Sequence, residues 1–442
     1  MQLPVIAIFD IGKTNKKLLL FDEQLKIVFE HADQFPETRD DDGFPCDDLE
    51  KLNNFVFESL RKVLSKSQFD LKGLNFTAYG ASFVYIDDSG KPLSPLYNYL
   101  KPYPEELLEQ FYSAYGGKTE FAKETASPVL GSLNSGMQLY RIKYERNDLL
   151  KQIRYALHLP QYLSFLISGK SCSDITSIGC HTNLWDFRKN NYHHWLKIEG
   201  LIDKLAPILP SDSVIKTNFE GYSFDVGIGL HDSSAALIPY LVNFKEAFLL
   251  ISTGTWCISL NPFNASPLCT FELESDCLCY LHYEGKPVKA SRLFAGNEHE
   301  LELNRISQYF SKPKSRYEQM NFDSAFLNLL DQEEVYSGND LASYASDAEA
   351  YHRLMIHIIK QQKISSELVI KDSDVKRIFV DGGFSKNSIY MNLLSIVFPE
   401  MEVFAASMAQ STAMGAALAI HHSFGNKNIP SDLIELKFYS AK

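Results

Sequence analysis

The pattern of hydrophobic and polar positions predicts a β-hairpin at the beginning of the chain. Residues 5–9 and 17–21 are short apolar runs, and a polar segment that contains Gly12 joins them. Short apolar runs on either side of turn residues are typical of two paired, buried strands. Residues 26–35 can supply a further strand, which would complete a three-stranded meander.

The same pattern returns twice in the second half of the chain. Residues 247–252 and 256–260 are apolar runs around the turn Thr253-Gly254-Thr255, which predicts a second hairpin. Residues 377–380 form another apolar run, and the turn Asp381-Gly382-Gly383 follows it directly. We expect the three turns to have related roles.

Helices are predicted between these strands. Apolar side chains recur every three or four positions from Leu49 to Val63, as on one face of an amphipathic helix. Further helical patterns cover residues 388–397 and 410–420, with a short strand at 402–404 between them. Gly415 lies among alanines in the last helix, which lets another backbone come close. Strands and helices mixed in this way predict an α/β protein.

The length of 442 residues indicates two domains. We expect an N-terminal domain over 1–220 and a C-terminal domain over 221–442, packed closely because no Gly/Ser- or Pro-rich linker separates them. Apolar residues make up 45% of the chain and charged residues 22%, as in a soluble globular protein. Because the formal net charge is −12, we do not expect a nucleic-acid partner.

The chain also shows none of the usual signs of export or membrane insertion. It has no basic and apolar leader pattern, and no apolar run approaches the ~18 residues of a membrane span. Its seven cysteines are an odd number and are widely scattered. We therefore expect a reduced, cytoplasmic protein without a membrane partner, and homodimer formation is left open.

The first turn carries candidate phosphate chemistry. Gly12 lets backbone N–H groups approach a ligand, Thr14 and Asn15 can donate hydrogen bonds, and Lys13 adds positive charge. Asp10 can hold Mg²⁺ through water. A Walker A loop is excluded, because the position of its first glycine falls inside the strand and holds alanine. An ordinary hairpin with a polar turn is the alternative.

Three side-chain amides are candidate contacts for a small ligand. Asn98 lies in a stretch rich in proline and tyrosine, and Asn134 and Gln138 lie in a glycine-containing stretch. An amide offers a donor and an acceptor together, which suits a polyhydroxylated molecule. A packed surface loop would have the same composition. The histidines at 158, 181, 193 and 194 show no spacing that indicates a metal site.

Four short motifs follow one another along the chain: Asp10-x-Gly12-x-Thr14, Gly229-Leu230-His231-Asp232, Ser252-Thr253-Gly254-Thr255-Trp256, and Asp381-Gly382-Gly383 with Asn387. In this order they resemble the motifs of the FGGY carbohydrate kinases. That family belongs to the superfamily that includes actin, hexokinase and the heat-shock chaperone ATPases. The likeness extends from Asp10 to about Ile420, and the His-Asp pair in the second motif is similar to that of rhamnulokinases.

The resemblance implies two ribonuclease H-like α/β domains of the actin/hexokinase type, which flank a central cleft and bind ATP, Mg²⁺ and a small sugar. It implies that Asp232 is the general base, ionised at neutral pH without a special pKa shift, and that His231 contacts the sugar. Asp10 would help to hold Mg²⁺. The residues implied in binding ATP and its phosphates are Gly12, Lys13, Thr14, Asn15, Gly254, Thr255, Gly296, Gly382, Gly383 and Asn387.

The implied reaction is transfer of a phosphoryl group from ATP to a sugar hydroxyl, with the ketoses rhamnulose, fuculose, xylulose and ribulose as candidate acceptors. Three alternatives stay open at this point: an actin- or chaperone-like ATPase, an exopolyphosphatase-like hydrolase, and a non-catalytic sensor of sugar or nucleotide. For Asp232 itself, the alternative role is that of a helix N-cap.

Overall fold

Two seven-stranded mixed sheets form the framework of the protein. The computed structural model describes residues 2–333, 335–408, 410–425 and 429–440. In chain order the strands are β1 Leu3–Ile11, β2 Lys16–Phe21, β3 Ile27–Asp33, β4 Thr38–Arg39, β5 Pro45–Cys46, β6 Phe69–Ala78, β7 Phe83–Ile86, β8 Tyr155–His158, β9 Ser173–Asp174, β10 Trp185–Asp186, β11 Asn191–Tyr192, β12 Ile208–Leu209, β13 Val214–Phe219, β14 Tyr222–Gly227, β15 Leu230–His231, β16 Phe248–Thr253, β17 Cys257–Asn261, β18 Cys277–Leu281, β19 Pro287–Leu293, β20 Arg377–Gly382, β21 Glu402–Ser407 and β22 Glu435–Tyr439.

Helices cover both sheets and connect them. They are α1 Leu49–Leu64, α2 Glu105–Ala114, α3 Lys118–Thr125, α4 Ser135–Glu145, α5 Asn147–Gln152, α6 Leu159–Ser168, α7 Ile175–Ile178, α8 Trp195–Ile198, α9 Asp232–Asn243, α10 Thr270–Glu274, α11 Ala295–Tyr309, α12 Lys314–Glu318, α13 Asp347–Ile370, α14 Ser388–Val397 and α15 Ser411–Ala419. Among the helices of the described ranges, none combines the length and the apolar character that a bilayer crossing requires.

The first sheet has the strand order β13-β14-β6-β1-β2-β3, and β15 also pairs with β6. β1 and β2 form the predicted hairpin and are antiparallel, with Asp10 opposite Lys17. β6 runs parallel to β1 and sets Thr77 beside Asp10, and β15 runs parallel to β6. The carboxyl ends of β1, β6 and β15 therefore meet at one edge, which brings Asp10 and His231 to the same end of the sheet.

The second sheet repeats this plan with the order β18-β19-β17-β16-β20-β21-β22. β16 and β17 form the second predicted hairpin. β20 runs parallel to β16, with Ser252 opposite Asp381, so the turns that follow these two strands are neighbours. A hairpin, a further antiparallel strand and a parallel strand recur in both sheets, which confirms the predicted α/β fold with a repeated domain.

The expected domain boundary at residue 220 is wrong. Glu220 lies in the turn between β13 and β14, which pair with each other, and β14 pairs with β6 of the first sheet. Glu220 and Gly221 both take positive φ angles, of 51° and 90°, as a tight hairpin turn requires. The first sheet continues to His231, and the chain reaches the second sheet through α9.

Two helices cross at the junction of the domains. Leu237 of α9 packs in one cluster with Phe248 of the second sheet, whereas α15 follows β21 of the second sheet and packs with Ile8 of the first. Where the helices cross, a Cβ atom on Gly415 would lie 1.8 Å from the carbonyl oxygen of Ala235. The predicted small face of α15 thus permits the close approach, and a larger residue would force the helices apart.

Candidate active site

The first hairpin turn holds Asp10 at the end of the first sheet. The N–H of Gly12 donates to the carbonyl of Asn15 at 2.9 Å, which closes the turn. The Asp10 carboxylate accepts a hydrogen bond at 2.7 Å from the hydroxyl of Thr412, which lies at the start of α15. Burial raises the pKa of Asp10 to about 6 against the opposing effect of that hydrogen bond, and the nearby Asp232 carboxylate adds to the increase.

The positive charge of Lys13, which was predicted to face phosphate, is paired within the protein. Lys13 Nζ lies 2.6 Å from the buried carboxylate of Asp47 and 3.0 Å from that of Glu37. The buried ammonium of Lys16 contacts the other oxygen of Asp47 at 3.0 Å. The hydroxyl of Tyr79 donates to Asp47 as well, at 2.7 Å. This network ties the turn to the strand end that carries Tyr79.

Lys17 is the cation that faces Asp10 across the hairpin. Its Nζ donates to the side-chain amide oxygen of Gln410 at 3.1 Å, and its contact with the Glu30 carboxylate is longer, at 3.7 Å. It also opposes the increase in the pKa of Asp10. Thr14, at the tip of the turn, is exposed to solvent. Lys17 is thus less fully neutralised than Lys13.

The second hairpin turn is built for close backbone contact. The N–H of Gly254 donates to the carbonyl of Trp256 at 2.8 Å, and residues 254–256 are exposed. The start of α11 packs directly onto the turn, where the N–H of Asn297 donates to the carbonyl of Thr255 at 3.0 Å. A Cβ atom on Gly296 would lie 1.8 Å from the carbonyl oxygen of Gly254. Only glycine fits at 296 without moving the turn.

The third turn, after β20, is bonded to the second. Gly382 has a φ of 88°, and a Cβ atom there would lie 1.9 Å from the carbonyl oxygen of Thr253. The N–H of Gly383 donates to that same oxygen at 3.0 Å, and the N–H of Phe384 donates to the Thr253 hydroxyl at 3.0 Å. That hydroxyl donates in turn to the carbonyl of Asp381 at 2.6 Å. The two turns therefore form one unit.

A pocket of about 430 Å³ opens beside this unit, and we call it the Gly254 pocket. Asn387 caps α14 through its side-chain oxygen, and its amide nitrogen donates to the hydroxyl of Tyr351 at 2.8 Å. His299 Nε2 lies 3.1 Å from the same hydroxyl, and its ring meets that of Phe384 edge to face. The pocket brings together four residues of the predicted ATP site. Its lining residues are Gly254, Gly296, His299, Glu318, Tyr351, Gly383, Phe384, Lys386 and Asn387.

A second pocket of about 450 Å³ contains His231 and Asp232, and we call it the Asp232 pocket. It lies between the domains, because strand ends of the first sheet and side chains of the second sheet line it together. Its lining residues are Tyr79, Gly80, Ala81, Tyr99, Leu100, Leu133, Cys180, His181, His231, Asp232, Ser233, Trp256, Ile258, Leu278, Tyr280, Ala290 and Arg292.

Asp232 is the first residue of α9, and its side chain is 31% exposed. One carboxylate oxygen accepts hydrogen bonds from the N–H of Ser233 at 2.6 Å and from the Ser233 hydroxyl at 3.2 Å. Burial raises the pKa of Asp232 to about 6 despite these bonds. The expectation of an unshifted pKa is therefore wrong, although a carboxyl group with a pKa of about 6 is still mostly ionised at neutral pH.

The imidazole of His231 forms part of the pocket wall. A Cβ atom on Gly80 would lie 2.4 Å from Cδ2 of His231, so the glycine at the end of β6 makes room for the ring. Burial lowers the pKa of His231 to about 4. His231 is therefore neutral at physiological pH.

The three amides predicted as sugar contacts lie elsewhere. Asn134 is fully buried, and it bonds to Ser127 and to backbone groups through both ends of its amide. Asn98 donates to the carbonyl of Pro45 and accepts from the N–H of Leu100, and Gln138 donates to the carbonyls of Ala81 and Ser132. The last two line a separate cavity of about 90 Å³. None of the three lines the Asp232 pocket, and both asparagines use the two ends of their amides in hydrogen bonds within the protein.

The family follows from comparison with known proteins. The N-terminal domain of the FGGY family of carbohydrate kinases matches residues 5–237, and the FGGY C-terminal domain matches residues 245–428. The chain belongs to the FGGY family of carbohydrate kinases. The two matched regions of this FGGY protein divide between residues 237 and 245, within or just after α9, where the structure also passes from one sheet to the other.

Two curated relatives in the FGGY comparison are named rhamnulokinase. The protein from Oceanobacillus iheyensis is 23% identical over 278 residues, and that from Halalkalibacterium halodurans is 26% identical over 277 residues. Each match covers 59% of this chain and 56% of the relative. The FGGY chain thus matches little more than half the length of these relatives.

Solved structures agree over almost the whole chain. A carbohydrate kinase from Novosphingobium aromaticivorans superposes with a TM-score of 0.79 at 20% identity, covering 98% of this chain and 96% of its own. A xylulose kinase from Lactobacillus acidophilus superposes with a TM-score of 0.80 at 15% identity, covering 100% and 94%. At these identities the likeness shows the fold alone, and it confirms two actin/hexokinase-type domains around a cleft.

Several residues of the two pockets had no signal in the sequence. His299 and Tyr351 reach the Gly254 pocket from two different helices, and His181 and Arg292 reach the Asp232 pocket from unrelated segments. Gly80 could have been noticed in the sequence, because a glycine can mark a place where another group comes close.

Proposed function

We propose that the protein is a sugar kinase that transfers the γ-phosphoryl group of ATP to a hydroxyl group of a small ketose. The observation that carries this proposal is the position of the second hairpin turn. Gly254 of this turn lines one pocket and Trp256 lines the other. A nucleotide with its adenosine in the Gly254 pocket can direct its phosphates along the turn, toward a sugar beside Asp232.

Asp232 would act as the general base for the sugar hydroxyl. One of its oxygens is held by Ser233, and no hydrogen bond to the other oxygen is found among the described residues. With a pKa of about 6, the carboxylate is available at neutral pH and is a better proton acceptor than an unshifted aspartate. His231, which is neutral, would contact a sugar hydroxyl and help to orient it.

The phosphates would lie between the first and second hairpin turns. Backbone N–H groups near Gly12 and Gly254 can donate to phosphate oxygens without side-chain obstruction. Lys17, beside Asp10, can add a positive charge because its carboxylate contact is long. Lys13 would contribute to phosphate binding mainly by shaping the turn, since Asp47 and Glu37 offset its charge.

The residues around Asp10 fit a bound Mg²⁺. The Asp10 and Asp232 carboxylates are close enough to raise the pKa of Asp10, and such a pair of hard oxygen ligands is favourable for a cation. Asp10 would hold the ion, directly or through water, and the Thr412 hydroxyl would fix the carboxylate. When bound, Mg²⁺ supplies charge compensation for the β- and γ-phosphates.

A ketose acceptor is supported by the two relatives named rhamnulokinase. The test is an assay of ADP release with a panel of ketoses, aldoses and polyols, with and without Mg²⁺. We expect sugar-dependent and Mg²⁺-dependent ADP release with one or a few ketoses. Release at the same rate without any sugar would contradict the proposal and would favour a chaperone-like ATPase.

The same assay tests Asp232 directly. Asp232→Ala is expected to lower kcat by about 10²–10⁴-fold, the usual contribution of a general base, and to leave nucleotide binding nearly unchanged. Asp225→Asn is the matched control, because Asp225 lies on β14 and pairs at 3.6 Å with the exposed Lys216. A variant lacking the Asp232 carboxylate but retaining wild-type turnover would remove this residue from the mechanism.

A further inference from the structure

The wall of the Asp232 pocket contains three potential metal ligands. Sγ of Cys180 and one ring nitrogen each of His181 and His231 lie within 4.8 Å of one another. Cys180 and His181 follow α7, whereas His231 ends β15 in a distant part of the chain. A thiolate with neutral imidazoles is the ligand set that Zn²⁺ and similar borderline cations prefer, and Mg²⁺ does not.

The surroundings of His181 fix its tautomer. Its Nδ1 lies 3.3 Å from the carbonyl oxygen of Leu133, and since a carbonyl can only accept, Nδ1 must carry the proton. Nε2 then has a free lone pair. Histidines that bind metals usually donate their other N–H to a carbonyl or a carboxylate in this way. The backbone of His181 is also unusual, with a φ of 40°, which a non-glycine residue adopts only when its surroundings hold it there.

His231 shows the complementary arrangement. Its Nδ1 is buried and has no hydrogen-bond partner among the described residues, while its Nε2 lies 3.6 Å from the carboxylate of Asp232. A proton on Nε2 would face that carboxylate and leave the lone pair of Nδ1 unused. A buried nitrogen without a partner is uncommon in folded proteins. A carboxylate at Nε2 and a metal ion at Nδ1 would explain why Nδ1 has no partner in the protein.

A second group of potential ligands provides a useful contrast. Glu124, Asp186 and His193 also lie within 4.8 Å of one another. There, however, Lys189 Nζ lies 2.9 Å from Asp186, and Arg188 lies 3.5 Å from Glu124, so cations of the protein already neutralise the carboxylates. In the Asp232 pocket the lining cation Arg292 is paired with Asp276 instead.

We propose that Cys180, His181 and His231 bind a borderline divalent cation such as Zn²⁺, and that the bound ion keeps the sugar out of the Asp232 pocket. The Zn–S bond forms as the thiol proton of Cys180 leaves to solvent, and water completes the coordination. Tetrahedral Zn²⁺ holds its ligand atoms about 3.5 Å apart, so binding would draw them together by up to about 1 Å. The exclusion of sugar rests on the proposed function, whereas the metal site does not.

The binding test uses Co²⁺ as a spectroscopic probe and Zn²⁺ as its competitor, without nucleotide. Cys269→Ser serves as the background because Cys269 is the exposed cysteine of the seven. We expect one Co²⁺ per chain, a sulfur-to-metal charge-transfer band in the near ultraviolet, and displacement by Zn²⁺. Cys180→Ala should abolish the band, and Cys180→Ala and His181→Asn should each weaken Zn²⁺ binding at least tenfold.

The matched control is Cys172→Ala, which removes another buried thiol and should leave the band unchanged. Thermal unfolding of each variant checks that loss of binding does not reflect loss of the fold. No metal binding by the background protein, or undiminished binding by folded Cys180→Ala, would overturn the site.

The inhibition test measures ADP release at fixed free Zn²⁺, set with a chelator buffer. Zn²⁺ is expected to raise the KM for sugar at least tenfold in the background protein and to have less than twofold effect in His181→Asn. Zn²⁺ that binds without raising this KM would overturn the exclusion of sugar. If Zn²⁺ binds but no sugar supports ADP release, the proposed function fails while the metal site stands.

Discussion

The two pockets meet at one hairpin turn, but they are built by different means. The Gly254 pocket is shaped by backbone, because Gly296 and Gly382 let carbonyl oxygens approach to distances at which no side chain fits. The Asp232 pocket is shaped by side chains, with buried imidazoles, tyrosines and a carboxylate contributed by both domains. The difference suits the proposed ligands. A nucleotide with its adenosine in the Gly254 pocket and its phosphates along the turn needs close approach to backbone N–H groups, whereas a sugar needs individual side chains at fixed places.

This contrast predicts different sensitivities in the two pockets. A backbone-built pocket should tolerate changes at its polar side chains and fail when a single methyl group is added at a glycine. A pocket built from side chains should lose its catalytic activity when a single carboxylate is removed, although the protein keeps its fold. The following substitutions test these expectations, beginning with the one expected to destabilise the protein most.

Gly382→Ala should have the largest effect on the Gly254 pocket. Its new Cβ would lie 1.9 Å from the Thr253 carbonyl oxygen, and its φ of 88° is unfavourable for alanine. We expect the free energy of unfolding to fall by about 2–4 kcal/mol and nucleotide affinity to fall at least 30-fold. Denaturant unfolding and titration with ATP would measure the two effects.

Gly169→Ala is the control for Gly382→Ala. Gly169 also has a positive φ, of 67°, but a Cβ atom there would meet nothing within 4 Å. The free energy of unfolding should fall by only about 1 kcal/mol, and nucleotide affinity should not change. Equal effects of the two substitutions would show that strain alone, and not the contact with the turn, explains the loss.

Asp10→Asn should lower turnover about 100-fold and raise the Mg²⁺ concentration needed for activity, because an amide is a weak ligand for Mg²⁺.

The same substitution should stabilise the protein at pH 7. Burial raises the pKa of Asp10 from 3.8 to about 6, so its contribution to stability is fully present below pH 3.8 and is lost as the pH rises through 6. A neutral asparagine avoids this loss, which we expect to be about 3 kcal/mol.

The measurement for Asp10→Asn is thermal unfolding in the absence of Mg²⁺ from pH 4 to 8. The Tm difference between variant and wild type should be largest above pH 6 and should shrink toward zero as the pH falls. Asp33→Asn, at the exposed end of β3, should leave both Tm and turnover unchanged. A destabilised Asp10→Asn at pH 7 would show that the buried charge is compensated within the protein.

The sequence predicted the parts of this arrangement that depend on local chain chemistry. These parts are both hairpins, the Asp381-Gly382-Gly383 turn and the small helix face around Gly415. Glycine, threonine and short apolar runs determine turns and strands over a few residues, so no distant contact was needed to infer them. The predicted helix at 388–397 is present as Ser388–Val397.

What the sequence did not predict depends on contacts between distant segments. Lys13 appeared free to bind phosphate because its partner Asp47 is 34 residues away. Asn134 appeared suited to a sugar, but an amide that bonds to buried backbone has the same sequence pattern as one that binds a ligand. His181 and His231 became neighbours only through the fold. Side-chain pockets are therefore harder to infer from sequence than backbone-built ones.

The pH dependence of kcat/KM should report on the Asp232 pocket. Because the pKa of Asp232 is about 6, kcat/KM should fall about tenfold per pH unit below pH 6, as protonation removes the base. Burial lowers the pKa of His231 to about 4 and that of His181 to about 3, so neither should add a limb between pH 6 and 8. A kcat/KM that is flat down to pH 5 would contradict a role for Asp232 as base.

Tyr351→Phe should have the smallest effect of the series, because it changes a polar side chain in the backbone-built pocket. The Tyr351 hydroxyl accepts from Asn387 at 2.8 Å and lies 3.1 Å from His299, so its loss frees two lining groups without moving the turns. We expect the KM for ATP to rise about fivefold, equivalent to about 1 kcal/mol, with kcat unchanged.

Tyr317→Phe is the matched control. The Tyr317 ring packs 5.2 Å from that of Tyr351, and its buried hydroxyl has no hydrogen-bond partner in the described part of the chain, so its removal should leave the KM for ATP unchanged. A 100-fold rise in the KM for ATP in Tyr351→Phe would show that side chains, and not the backbone, dominate nucleotide binding in this pocket.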